Sequence, residues 1–193
     1  MTKVLIVGSG PSARQYDLYQ YKENGWSVVV VNNAHVAVDD WDLWIKSTDY
    51  EGLHPDPKNI KPYQKLLASY VPSLNKYGGQ HACGFSTMLN ASYAVLDHMK
   101  PSVIGYLGAD MNYTPNDKGE THVYGVGFDI KKHGMPDPER MIQHWSRGDP
   151  NFLEKIYQRF DGIASGEGCK VYNFSRDIET KLPYQRVKVE DID

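Results

Sequence analysis

Cysteine is scarce in this chain: Cys83 and Cys169 are the two thiols among 193 residues. There is no CxxC pair and no histidine cluster, so neither a disulfide framework nor a structural zinc site is suggested. An excess of one charge is missing too. The 21 basic and 24 acidic side chains leave a net charge of −3, which provides no electrostatic footprint for non-specific binding to nucleic acid or anionic membranes. Long apolar runs are absent: the longest, at 4–7 and 28–31, fall far short of the roughly 20 residues that cross a bilayer. Lys3 is followed by four apolar residues and then glycine, which is not a secretory leader pattern. The expectation is a soluble, cytoplasmic protein with no nucleic-acid partner and no transmembrane segment.

What is present is ordinary globular composition, 40% apolar and 23% charged, which excludes wholesale disorder and collagen-like repeats. The length suits one domain of roughly 100–200 residues, enough to bury about 70% of the unfolded surface without a disulfide or metal. The sequence is therefore read as a single domain over 1–193. Aromatics are abundant, with 14 tyrosines and 4 tryptophans, and point to a binding surface without naming a ligand.

Val4-Leu5-Ile6-Val7 reads as a buried parallel strand running into the turn Gly8-Ser9-Gly10-Pro11-Ser12. A helix is expected from Ala13 to about Lys22, closed by Asn24-Gly25, and a second strand from Ser27 to Val31. Such a strand-turn-helix-strand unit of about 30 residues is the strongest structural signal in the chain. A third strand is expected at 43–46, a weak element near 66–68, a helix over 84–99 on its 3- and 4-residue apolar spacing, and a strand over 102–107. Residues 114–137 hold glycine, proline and charge with little periodicity and read as a lid-like loop. A mostly helical stretch over 138–160, interrupted at 148–150 with Asp149 capping a helix from Pro150, precedes a last strand at 170–174. Strands alternating with helices predict an α/β fold, a Rossmann-like open, mainly parallel sheet with helices on both faces.

Ligands of such sheets bind outside the carboxyl ends of the strands, so the strand exits carry the candidate chemistry. Gly8, Ser9, Gly10 and Ser12 join a strand to a helix start, where free N–H groups and hydroxyls can hold a phosphate. The alternative is a tight Gly-Pro turn with Ser12 as a plain N-cap. No Gly-Lys-Ser/Thr follows, so it is not a P-loop, and Ala13 stands where the third glycine of GxGxxG belongs. A nicotinamide enzyme wants an acidic residue after the second strand. This chain has Asn32 and Asn33, whose amides either bind a nucleotide or simply tolerate left-handed turn geometry. Asp110 ends the strand before Met111-Asn112-Tyr113 and can hold a ribose, a metal or a neighbouring loop. Asp40-Trp41-Asp42 matches a metal-binding Asp-x-Asp formally, but its tryptophans favour a surface turn, and no metal site is assigned. Tyr113 and Tyr124 bracket the lid and can donate to a departing phosphate or pack as apolar bodies. His144, or His122 in the lid, can act as a general base or be ordinary packing. Neither cysteine has a basic neighbourhood that would make it a nucleophile.

Taken in order, VLIVGSGPSARQYD, VVVVNNA and ACGFSTMLNASYAVLDHMKPSVIGYLGADMNY resemble the bacterial lipooligosaccharide sialyltransferases. They equally resemble wider relatives: motility-accessory-factor glycosyltransferases, archaeal hydroxymethylpterin diphosphokinases and phage-encoded proteins. The resemblance covers about 3–50 and 82–113, more weakly 140–183. It implies a metal-independent, inverting glycosyltransferase that moves a sugar from a CMP-sugar-type donor to a glycan or other hydroxyl acceptor, without a further cofactor. In those enzymes an asparagine on the donor phosphate stands where this chain has Ser9, and the asparagine after the second strand matches Asn32. A third-strand asparagine corresponds to Ser47, a hydroxyl at the start of the long helix to Ser86, the lid tyrosines to Tyr113 and Tyr124, and the catalytic base to His144. The family's basic, membrane-associating C-terminal extension has no counterpart here, and its relatives form homo-oligomers. Two alternatives stand beside this reading: Mg²⁺-dependent diphosphate transfer with the metal on Asp110 and Asp49, and a non-catalytic nucleotide-binding protein of the phage type.

Overall fold

The computed structural model describes residues 2–15, 17–80, 87–110, 117–120, 149, 151–175, 180 and 182–192. Its frame is one six-stranded sheet in which every described pairing is parallel. The strands are β1 (Lys3–Val7), β2 (Trp26–Val31), β3 (Leu43–Ile45), β4 (Lys65–Leu66), β5 (Val103–Leu107) and β6 (Lys170–Asn173), in the spatial order β4-β3-β2-β1-β5-β6. From β1 the chain steps outward through β2, β3 and β4, then returns to place β5 and β6 on the other side of β1. That reversal makes β1 the topological switch point of a Rossmann-like sheet.

The register levels the strand exits. Val7 lies beside Val30 and Leu107, and Val31 beside Ile45. Gly8, Asn32 and Gly108 therefore leave the sheet within about a residue of one another, along one edge of the crevice. Successive side chains of a strand point to opposite faces, and both faces are covered. Val4, Ile6, Val29, Val31, Ile104 and Tyr106 pack on the side of α2 (Val71–Lys76), α3 (Thr87–Met99) and α4 (Phe152–Gly166). Leu5, Val7, Val28, Val30 and Leu107 pack on the other, with Tyr21 of α1 (Leu18–Glu23), three tryptophans and Phe174. Continuous apolar strands such as VVVV are what double coverage requires. Gly105 belongs to the same packing: a Cβ there would run into the Phe174 ring, which meets Trp26 edge to face at 5.4 Å.

Four local expectations change. The helix expected from Ala13 divides into a 3₁₀ turn, Pro11–Gln15, and α1, because Asp17 caps the second piece by accepting from Tyr19 N at 3.0 Å. The weak element near 66–68 becomes β4 followed by α2, whose Pro72 sits in the first turn where no N–H is needed. The last helix starts at Phe152 and runs to Gly166, past the expected end at 160, while Asp149 accepts from Asn151 N at 2.9 Å. Residues 182–192, for which no element is predicted, return to the sheet edge: Asn173 N donates to Gln185 O at 2.9 Å and Val187 N to Asn173 O at 3.3 Å. Val187, Val189 and Ile192 then pack against the second core. Of the lid-like loop at 114–137, the described residues are 117–120, and Glu120 pairs with Arg14 at 3.1 Å.

Candidate functional site

The β1 turn is built around a carboxylate from the loop that leaves β5. Asp110, 1% exposed, accepts from Ser12 N at 2.8 Å, from the Ser12 hydroxyl and from the Ser175 hydroxyl at 3.0 Å. The Ser12 hydroxyl accepts in turn from Gly108 N at 2.9 Å. Gly8 N donates to Leu107 O and Gly10 N to Gly108 O, both at 2.8 Å, and Ala13 N to Gly10 O at 3.0 Å. Pro11 has no N–H. Within the turn only the Ser9 amide is left without a named partner among the described residues. The glycines have a packing reason as well. A Cβ on Gly8 would stand 2.5 Å from Gly108 O, and one on Gly10 would stand 2.6 Å from Asp110 Oδ2. They let two loops of the fold meet, whether or not a ligand approaches.

The β2 and β3 exits form a second knot. Asn32 has a φ of 52°, a left-handed conformation that asparagine adopts at lower cost than most residues. Its Oδ1 accepts from Ser47 N at 2.9 Å, and its Nδ2 donates to Thr87 Oγ1, at the start of α3, at 3.5 Å. Its main-chain oxygen takes the Trp44 indole N–H at 2.8 Å and His35 Nδ1 at 2.9 Å. Burial holds the His35 imidazole below its ordinary value. Asn33 turns the other way, accepting from the Tyr50 hydroxyl and from Leu53 N at 3.2 Å. His54 and Tyr50 complete an aromatic group on Trp44, with ring centres 5.3 and 5.9 Å from it.

The predicted binding residues thus divide by access. Ser9, Gly10, Asn32 and Ser47 are half-buried at the crevice, whereas Gly8, Ser12, Asn33 and Asp110 are buried within the fold. Ser86, Tyr113, Tyr124, His144 and His122 lie outside the described residues. Thr87 is the addition that sequence reasoning left out of the site, although it stands beside Ser86 in the GFST run. Ser175 is another: its tie to Asp110 spans 65 positions and leaves no local trace in sequence. Asp40 and Asp42 do not form a metal pair. They hold Lys22 at 3.4 and 3.0 Å, and Asp42 also accepts from Val28 N at 2.7 Å. Among the described residues no group of three or more His, Cys, Asp or Glu side chains could hold a metal ion. Burial pushes the Cys169 thiol up to about 12, the opposite of an activated nucleophile. A cavity of about 270 Å³ opens beside the turn, between Arg14, Leu18 and Tyr19 on one side and Val38 and Asp39 on the other.

No helix among the described residues is long and apolar enough to cross a membrane. No protein-family model and no curated protein sequence matches the chain. Among solved structures it is similar to the UDP-glucose 4-epimerase of the hyperthermophilic eubacterium Thermotoga maritima, crystallised with UDP-glucose. The TM-score is 0.32 at 11% identity, covering 88% of this chain and 54% of the epimerase. The chain thus spans about half the length of that enzyme. The sheet order and register are those of a Rossmann-like fold, consistent with nucleotide binding.

Proposed function

We propose that this protein binds a nucleotide in the crevice outside β1, β2 and β3, and that the bound molecule is a CMP-sugar-type donor for transfer to an acceptor hydroxyl. The observation that carries the binding half is the convergence of Ser9, Asn32, Ser47 and Thr87, all half-buried, at adjacent exits beside the switch point. These are neutral hydrogen-bonding groups, suited to ribose hydroxyls, a sugar and a singly charged phosphodiester. The transfer half rests on the sequence resemblance. In it the acceptor oxygen attacks the anomeric carbon as the bond to the phosphate oxygen breaks. His144 takes the hydroxyl proton, Tyr113 and Tyr124 donate to the leaving phosphate, and the configuration inverts.

The Asp110 carboxylate gives no support to Mg²⁺-dependent diphosphate transfer. A metal ligand needs an accessible lone pair directed outward, whereas Asp110 is 1% exposed and takes two hydroxyls and an amide from the protein itself.

The test is a thermal-shift panel of CMP, CMP-sialic acid, UDP, GDP, ATP and NAD, each with and without Mg²⁺, followed by a transfer assay with the ligand that binds. A ligand at 100 times its dissociation constant adds about 2.7 kcal/mol. Stabilisation by the CMP compounds without metal is the expected result. Binding with no product from any acceptor would leave a non-catalytic nucleotide-binding protein, and silence from the whole panel would overturn the reading.

A further inference from the structure

In a Rossmann-like sheet the first turn usually presents its amides to a ligand's pyrophosphate. Here the fold supplies its own anion. The Asp110 carboxylate takes the Ser12 amide and hydroxyl, and the missing side chain of Gly10 makes room for its Oδ2. The amides of Gly8, Gly10 and Ala13 end on main-chain oxygens. The nearest cation on the same turn, Arg14, is paired with Glu120 at 3.1 Å. A phosphate chain laid along this turn would meet a buried carboxylate and few open donors.

We infer that Asp110 is a specificity-determining residue: a built-in anion at the β1 turn that restricts the crevice to nucleotides with one phosphate and rejects di- and triphosphates. The inference rests on the nucleotide-binding reading above and adds the ligand's charge class. Its physical basis is like-charge repulsion at a site where burial weakens screening. Among the described residues, Ser9, Asn32, Ser47 and Thr87 are neutral and give a second phosphate no countercharge. Asp110 touches no ligand; it acts by holding the turn and by its charge.

The experiment is a calorimetric ladder on the full chain with cytidine, CMP, CDP and CTP, and with adenosine, AMP, ADP and ATP, in EDTA without Mg²⁺. The monophosphate should bind most tightly in a series that binds, with the di- and triphosphate at least about tenfold weaker, as juxtaposed like charges require. Affinity that is flat or rises from mono- to triphosphate overturns the inference while leaving nucleotide binding intact. No binding in either series overturns both. Asp110→Asn, which keeps the shape and removes the charge, should narrow the gap between mono- and triphosphate to within about threefold. Ser175→Ala, which removes one donor and leaves the charge, should keep the ladder. A merely structural Asp110 would shift all rungs alike. If Asp110→Asn does not fold, the ladder of the native chain decides alone.

Discussion

On the β5–β6 side of β1, the polar knot is closed. Asp110 is 1% exposed and joins three strand exits through Ser12 and Ser175. On the β2–β3 side the knot is open: Asn32 is half-buried, joins two exits and the start of α3, and reaches Thr87 at 3.5 Å. Both knots hold strand ends in register, but they differ in what remains for a partner molecule. A buried carboxylate with converging donors is a structural fixture, whose removal strands the groups that pointed at it. A half-exposed carboxamide with a long, marginal hydrogen bond can exchange partners at little loss. The open crevice therefore lies toward β2 and β3, and the side with the acidic residue is the locked one.

The contrast can be broken from either end. The largest effect is expected for Asp110→Ala, which removes the acceptor of the Ser12 amide and hydroxyl and of the Ser175 hydroxyl. Stability should fall by about 3 kcal/mol or more, read from the denaturant midpoint. A loss below about 1 kcal/mol would mean that the knot is a surface arrangement after all. Asn32→Ala comes next, at about 2 kcal/mol, combining a lost hydrogen bond with a left-handed conformation that alanine resists. Asn32→Gly, free of that conformational penalty, should lose only about half as much. Equal losses in the two variants would show that the 52° φ contributes nothing.

The smallest effect is a pH dependence on the open side. His35 sits under its ordinary value of 6.5 because burial disfavours its charged form, with a further push from His54. The unfolded chain then binds more protons than the folded one, so stability rises with pH. That contribution is complete above pH 6.5 and is lost as the pH falls through it toward the lowered folded value. Urea midpoints from pH 7.5 to 5 should show the slope, and His35→Gln should flatten it. An unchanged slope in that variant would assign the titration to another group.

Strand exits were legible because the doubly covered strands are nearly pure apolar runs ending in Gly-Ser-Gly, Asn-Asn and Gly-Ala-Asp. The use of Ser12 was half legible. Its hydroxyl does work at the turn, but the partner that the fold gives it is a carboxylate 98 positions away, and periodicity cannot report such a pairing. Asn32 had a legible conformational reason, borne out by its positive φ. Its links to Ser47 and Thr87 follow from strand order. The short helix α2 was hidden by Pro72, a breaker inside a helix but tolerated in its first turn. The return of 182–192 was hidden because its hydrogen bonds run to Asn173 across the sheet edge.

The chain order of the principal strands and helices, the parallel character of the sheet and the place of the strand-exit loops were already determined by local apolar patterning and turn chemistry, whereas β4 and α2 were not. Those are properties of neighbours in sequence. Which side of β1 stays open, which carboxylate is buried and which amides remain for a ligand were decided only when strands distant in the chain were laid side by side. Hydrogen-bond satisfaction depends on what the fold brings within about 3 Å, and that is a property of space rather than of sequence.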